Sequence, residues 1–433
     1  MNIDSSLSVL QINCLGATMS TGRTTRELHE YLLGAGHRSH IACPTKYDAQ
    51  DVFAFSNRVM IHWDRLLSRL SGFEGTHSLI PTLRLIRYIK RLRPDIVHLR
   101  VLHNYCLNFE KLFSFLAKEN IATVITLHDF WYMTGLCCYY TMTGCEKWIE
   151  GCHDCPNLSL GGFPLRTDHT ADMWKMKKEG LLSIPRLAVT GVSDWTVQEA
   201  EKSFLKDARI LRRIYNWIDL SVFCPRDASE HRKKLGVEQK KMILGVSSLW
   251  VPGDRKGLHV FLSLAKVIPE SYQIVLVGNI RCREPLLHNI TALGAISDVN
   301  ELAGIYNAAD VFLNLSLEET FGKVSAEAIA CGTPVISVDS TANREIVPPG
   351  GGFVIKPGDL QAILDALQEL FRKEKQEYVT ICREFAEQYF NKQDNIRQYV
   401  SLYQDLIRFE PAAYENKEVN ECMNRVNNYS RGG

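Results

Sequence analysis

Residues 310–338 read Asp310-Val-Phe-Leu-Asn-Leu-Ser316, Leu317-Glu-Glu-Thr-Phe-Gly322, Lys323-Val-Ser-Ala-Glu-Ala-Ile-Ala330, Cys331-Gly-Thr333 and Pro334-Val-Ile-Ser-Val338. The first run is apolar and β-favouring, which predicts a buried strand over 311–315. The glycine-ended loop 317–322 comes next, then small and helix-favouring residues that predict a helix over 323–330. The final run predicts a strand over 334–338. Strand, loop, helix and strand in this order make a βαβ unit, which belongs to a parallel sheet.

The same alternation runs outward in both directions. Downstream of the middle of the chain, the patterns predict strands over 241–247 and 272–277, the latter ending at Gly278, and helices over 257–267 and 299–308. Upstream they predict strands over 9–14, 41–43, 96–99, 123–127 and 187–192. Helices are expected over 23–34 and over 82–93, the second stopped by Pro94. The class is α/β, with two Rossmann-like, doubly wound domains. The polar, proline-marked stretch Cys224-Pro-Arg-Asp-Ala-Ser-Glu230 sets the boundary near 216–225, giving domains over 1–215 and 216–384. The tail 410–433 is polar, rich in Asn and ends in Gly-Gly, and is expected to be poorly ordered.

Bulk properties agree with this division. A chain of 433 residues fits two domains, and 45% hydrophobic with 23% charged residues is ordinary for a globular protein. A net charge of +1 gives no electrostatic case for binding nucleic acid. No apolar run approaches the roughly 20 residues that span a bilayer. The first eight residues lack the basic start and apolar core of a secretory signal. A cytoplasmic location is expected, at the inner face of the membrane if the acceptor is lipid-linked.

In open α/β sheets, ligands bind beyond the carboxyl ends of the strands, where helix N-termini offer free N–H groups to phosphate. Glu319 falls in such a loop and Glu327 one turn into the helix behind it. Carboxylates accept strong hydrogen bonds from sugar hydroxyls. By position alone, both glutamates also read as solvated charges favoured at a helix start.

The run from Glu319 to Ile336 resembles the glutamate–seven–glutamate motif of retaining family 4 glycosyltransferases, which have the GT-B fold of two domains facing a central cleft. Ile305-Tyr-Asn-Ala-Ala-Asp310 and Asn343-Arg-Glu-Ile-Val347 flank it as in the family, and the resemblance covers about residues 8–408. It implies that Glu319 contacts the donor sugar and Glu327 the ribose, and that the main-chain amides of Phe321, Gly322 and Lys323 face the diphosphate. Lys256, in Asp254-Arg-Lys-Gly257, matches the family lysine that neutralises the leaving group. The family arginine upstream of it is absent from Ser247-Ser-Leu-Trp250, and Arg255 is its candidate substitute. Gly278 and Ile296 stand where the family holds the base. His128 matches a histidine that faces the donor sugar across the cleft, with Asp129 beside it. Thr21, Gly22 and Arg23 occupy the loop 20–24, where the family has a glycine pair. An ordinary capped strand–helix connection is the other reading of that loop. The resemblance also implies that a C-terminal helix, about 385–409, returns to the first domain.

The implied activity is retaining transfer of a sugar from a UDP- or GDP-sugar to a glycan or polyprenyl-linked acceptor. The first-domain sequence resembles a subgroup of capsule, exopolysaccharide and O-antigen assembly enzymes. A nucleotide-sugar epimerase and a non-catalytic scaffold subunit are the other readings. No Asp-x-Asp motif occurs, so no catalytic metal is expected.

Two further features stand apart. Helix 83–93 carries five basic residues beside an apolar stripe, which suits either an anionic membrane surface or a core-facing helix with a solvated back. Within 136–156 lie five cysteines, of which Cys137, Cys145, Cys152 and Cys155 are the expected ligands of a structural zinc. Buried free thiols or an oxidised pair are the alternatives.

Overall fold

The computed structural model describes residues 6–15, 20–46, 51–158, 167–253, 255–282 and 285–409. The expected tail 410–433 and Asp254 lie outside the described residues. The first domain contains strands β1 (Ser8–Ile12), β2 (Arg38–Cys43), β3 (Val52–Ala54), β4 (Ile96–Leu99), β5 (Ala122–Leu127), β6 (Leu187–Gly191) and β7 (Ile210–Arg213). They pair in the order β3-β2-β1-β4-β5-β6-β7, all parallel. The second contains β8 (Lys241–Trp250), β9 (Tyr272–Ile280), β10 (Ile290–Ala292), β11 (Val311–Asn314), β12 (Val335–Val338) and β13 (Gly352–Ile355). Their order is β10-β9-β8-β11-β12-β13, again parallel.

Both sheets are doubly wound, and each has one switch point, between β1 and β4 and between β8 and β11. There the connections leave to opposite faces of the sheet and open a crevice at the strand ends. The loops that carry Lys256 and Glu319 follow β8 and β11. Those that carry Arg100 and His128 follow β4 and β5.

Several expected boundaries move, each for a local reason. The helix expected over 23–34 begins at Ser20, because Thr24 and Thr25 donate their hydroxyls to Thr21 O at 3.0 and 2.7 Å. Thr21, Gly22 and Arg23 are therefore first-turn helix residues, not loop. Strand 241–247 continues across a bulge to Trp250, and strand 272–277 runs through Gly278 to Ile280. The single helix expected over 385–409 is two, Gln376–Phe390 and Lys392–Arg408. Asn391 stands between them in an extended conformation, and its side chain caps the second helix by accepting from Gln393 N at 2.9 Å. The second helix packs on the sheet of the first domain: Tyr399, Leu402, Tyr403 and Leu406 join Val9, Val124 and Ala188 in one core. The first stays with the second domain through Cys382, Ala386 and Phe390.

The chain thus crosses between domains twice at one place, where Ile218 bridges to Asn391 and its N–H bonds Phe390 O at 2.8 Å. The basic helix is Leu79–Leu92, and Leu85, Ile86 and Ile89 are buried in the core of the first domain. Its apolar stripe is occupied there, so that stripe makes no lipid contact. No helix among the described residues is long and apolar enough to cross a membrane.

Candidate functional site

After β11 the chain forms a loop and then the helix Lys323–Ala330. Gly322 joins them at φ +86°, a left-handed conformation that glycine adopts without strain. A Cβ there would sit in ordinary contact with Ile346, Asn314 and Asn343, the nearest atom at 3.6 Å, and would fit without a clash. The loop is braced from behind. Asn343 donates to Ser316 O at 2.6 Å, Asn314 donates to Asn343 Oδ1 at 3.0 Å, and Glu319 N donates to Thr341 Oγ1 at 3.0 Å. Leu317 N donates to Arg255 O at 2.7 Å, which ties the loop to the segment after β8. Lys256 and Glu319, far apart in sequence, are thereby paired through Nζ and Oε1.

The other second-domain residues fall around this pair. Arg255 reaches Glu318 O at 3.2 Å and lies 3.9 Å over the ring of Tyr139 from the first domain. The Phe321 ring is in the core against Phe390, so only its main chain can face a ligand. Glu327 accepts from the Tyr306 hydroxyl at 3.1 Å and pairs with Arg23 of the first domain at 3.7 Å. Gly278 has φ +121°, and a Cβ there would overlap the Ser247 carbonyl, so its glycine is required by the close approach of β8 and β9. Ile296 is half-buried in the connection after β10. Trp250 closes the end of β8, its indole donating to Val277 O at 2.9 Å.

Electrostatics divide the carboxylates. Burial works against the charge on Glu319, yet Lys256 and Arg255 hold its carboxyl below the ordinary glutamate value, so it stays ionised. Burial raises Glu327, against the pull of Lys323 and Arg23. Burial also lowers Lys323, with Glu327 and Glu27 opposing.

Facing this group is His128, at the end of the fully buried strand β5. Burial, then the cations Arg100 and Lys323, push its imidazole well below the ordinary value, which keeps it neutral at pH 7. Its Nε2 is buried and bonded to nothing among the described residues. The Thr320 hydroxyl donates to His128 O at 2.9 Å and links the two domains there. Asp129 turns away: it bonds Nε2 of His103 at 2.9 Å, and despite burial His103 holds its carboxyl low.

Sequence reading missed Arg100, which is 1% exposed. It donates to Thr24 Oγ1 at 2.6 Å, while its Nε and Nη1 have no partner among the described residues. The Thr21 hydroxyl is also buried and has no partner among the described residues. A signal existed, since Arg100 ends the apolar run 96–99 directly. Glu318 was missed too. It accepts from Thr141 Oγ1 at 2.5 Å and Met142 N at 2.8 Å, docking the cysteine-rich segment on the loop after β11.

The four expected zinc ligands line one cavity of about 10 Å³ with Trp148 and His153. The neighbouring thiol of Cys155 and burial push the Cys137 thiol up. N–H groups point at three of the sulfurs: Gly135 N at Cys152 Sγ (3.1 Å), Asn157 N at Cys155 Sγ (3.4 Å) and Asn157 Nδ2 at Cys137 Sγ (3.3 Å). The four are not drawn to metal-bound spacing. Among the described residues, the group whose ligating atoms all lie within 4.8 Å of one another is His103, Asp129 and Cys138.

Comparison with known families matches residues 21–222 to "Glycosyltransferase Family 4" and residues 240–373 to "Glycosyl transferases group 1". The chain belongs to glycosyltransferase family 4. This glycosyltransferase is similar over most of its length to the putative colanic acid biosynthesis glycosyl transferase WcaC of Escherichia coli K12, at 24% identity over 92% of this chain and 100% of the relative. It is 27% identical to N-acetyl-alpha-D-glucosaminyl L-malate synthase of Bacillus anthracis, over 51% of this chain and 60% of that one. Solved structures confirm a GT-B fold for the family 4 chain. A glycosyltransferase from Rickettsia africae superposes with TM-score 0.65 at 17% identity, over 94% of this chain and 100% of that one. HepE of Anabaena, solved in complex with UDP and glucose, gives TM-score 0.64 at 16% identity, over 92% and 100%.

Proposed function

We propose that this glycosyltransferase moves a sugar, with retention at the anomeric carbon, from a UDP- or GDP-sugar to a glycan or lipid-linked acceptor in bacterial surface-polysaccharide assembly. The observation that carries the reading is the Lys256–Glu319 pair, held at the switch point of the second sheet opposite the neutral His128. A cation beside a carboxylate at that place suits a nucleoside diphosphate sugar. Lys256, with Arg255 beside it, neutralises the charge that grows on the diphosphate as its bond to the sugar breaks. The amides of 321–323 and the helix behind them take the phosphates. Glu319 accepts from hydroxyls of the transferred sugar and Glu327 from the ribose. His128 offers its unpartnered Nε2 to a sugar hydroxyl. The acceptor oxygen bonds the anomeric carbon on the face the diphosphate leaves, and its proton ends on the departing phosphate.

The similarity to WcaC, named for colanic acid biosynthesis, supports the pathway class, and the HepE complex with UDP and glucose supports a nucleotide-sugar donor. The first domain would take the acceptor, at the cytoplasmic side of the membrane, with no catalytic metal. Cys137, Cys145, Cys152 and Cys155 would hold one structural zinc, which staples the segment that reaches Glu318 and takes no part in the chemistry.

Thermal-shift measurements against UDP-, GDP-, ADP- and dTDP-sugars test the donor reading, because a bound donor raises stability by mass action. One sugar nucleotide is expected to raise the melting temperature, and product analysis with it should give a glycoside with the anomeric configuration of the donor. If no sugar nucleotide shifts the protein, or the product is an epimerised sugar nucleotide, the reading fails.

A further inference from the structure

The helix Arg58–Ser71 is inside out for a globular surface. The side chains it buries are polar, Asp64 and Ser68. Ser68 donates to one Asp64 oxygen at 3.0 Å, and the Ser78 hydroxyl donates to the other. Its apolar side chains face solvent: Val59 is 65% exposed, Trp63 58% and Leu70 53%, with Leu66 and Leu67 exposed beside them. Positions 59, 63, 66, 67 and 70 recur at helical spacing and share one face. Leu79 and Ile80, next to the anchored Ser78, are exposed as well. Seven of the twelve exposed large apolar side chains among the described residues therefore belong to this one region. A patch of that kind marks an interaction surface.

Charge selects the occupant. Between positions 58 and 93 there are eight Lys and Arg against two acids, Asp64 and Glu74, and Asp64 is buried. Arg58 flanks the apolar face. Beyond Ile80, the exposed residues Arg84, Arg87 and Arg91 follow at helical spacing along Leu79–Leu92. A second copy of the chain would set these cations against their own kind, whereas an anionic lipid surface presents the opposite charge.

We propose that this face seats the protein on an anionic lipid leaflet, with Trp63, Leu66, Leu67 and Leu70 entering the acyl boundary and Arg84, Arg87 and Arg91 meeting headgroup phosphates. The contact belongs to the helix Arg58–Ser71, not to the stripe of the basic helix that the core occupies. It places the first domain, which the proposed function gives to the acceptor, against the phase that holds lipid-linked sugars. The inference deepens that reading without needing it, since its test contains no acceptor and no sugar nucleotide.

The test is flotation of the full chain with vesicles of phosphatidylcholine alone and of phosphatidylcholine mixed with phosphatidylglycerol, at low and high salt. Binding is expected to the mixed vesicles only and to weaken with salt. The double variants Trp63→Glu/Leu67→Glu and Arg84→Glu/Arg87→Glu are each expected to lose about tenfold or more in partitioning. Their melting temperature should hold, because these side chains are exposed. Failure of the wild type to bind mixed vesicles overturns the proposal, as does equal binding by either variant. So does light scattering that shows a dimer which the Trp63→Glu/Leu67→Glu variant converts to monomer, since the face would then bind a second copy.

Discussion

The hydroxyl of Thr320 donates to the main-chain carbonyl of His128 at 2.9 Å, so the loop that carries Glu319 is bonded to the residue it faces in the other domain. Thr320→Val removes the donor and leaves a buried carbonyl unpaired, at about 1–3 kcal/mol. Because the contact spans the cleft, the loss is expected mainly in turnover, while donor binding in a thermal-shift assay changes little. Unchanged turnover would show that the bond does not hold the working arrangement.

Glu319 and Lys256 are expected to fail for different reasons. Glu319→Ala should lower turnover about 100-fold or more with the fold intact, because a group aimed at the reacting sugar is lost. Lys256→Met should do the same and also weaken binding of the free nucleoside diphosphate, measured by calorimetry. If Glu319→Ala turns over at the wild-type rate, the donor site lies elsewhere.

Gly278 and Gly322 offer a contrast between two kinds of glycine. Both have positive φ, but a side chain at Gly278 would run into the Ser247 carbonyl, while a methyl group at Gly322 would fit against Ile346, Asn314 and Asn343 without a clash. Gly278→Ala is expected to destabilise the domain by about 3 kcal/mol or more, seen in urea unfolding. Gly322→Ala should lose only about 1–2 kcal/mol of stability from backbone strain. Its larger effect should be on nucleotide-sugar affinity, because the strain falls on the turn that aims the 321–323 amides.

His98 makes stability depend on pH. It is fully buried, with Nδ1 2.7 Å from the Tyr403 hydroxyl and Nε2 2.7 Å from that of Thr126. Burial, then the Arg100 cation and the neighbouring His128 ring, push its folded value well below the ordinary one. The unfolded chain therefore takes the proton first, near pH 6.5, and stability is lost as pH falls below that point. The urea midpoint should drop between pH 7.5 and 5.5, and drop less in His98→Gln. Equal drops in both proteins would remove His98 from the account.

The cysteine loop gives a prediction about metal content. Protein purified without a metal-affinity tag should contain close to one zinc per chain by elemental analysis, and a chelator should lower its melting temperature. Cys145→Ser should lose the metal and Cys138→Ser keep it. Zinc below about a tenth of an equivalent would sink the assignment, and loss of zinc in Cys138→Ser would move the site toward His103 and Asp129.

The strand–loop–helix–strand over 310–338 was legible because buried parallel strands leave continuous apolar runs and the helix between them is made of small residues. Glu319 and Lys256 were legible through motifs that each lie within a few residues. What stayed hidden depends on partners remote in sequence. Nothing near Thr320 announces its bond to His128, and nothing near Asp129 announces the imidazole of His103 that turns it from the cleft. The helix Arg58–Ser71 was missed for another reason: its apolar spacing is regular, but the face so marked points outward. The first turn at Ser20 was read as a loop because Ser, Thr and Gly favour caps and loops over helix interiors.

The two crossings beside Ile218 and Asn391 bear on how the protein is made. The second domain is one uninterrupted stretch of chain, whereas one face of the first domain's sheet is covered by Lys392–Arg408. During synthesis the second domain can complete its core while the first still has Val124 and Ala188 uncovered, waiting for Tyr399 and Tyr403. The earlier-made domain is therefore the later to finish, and an interrupted chain would expose that apolar sheet face to chaperones and proteases.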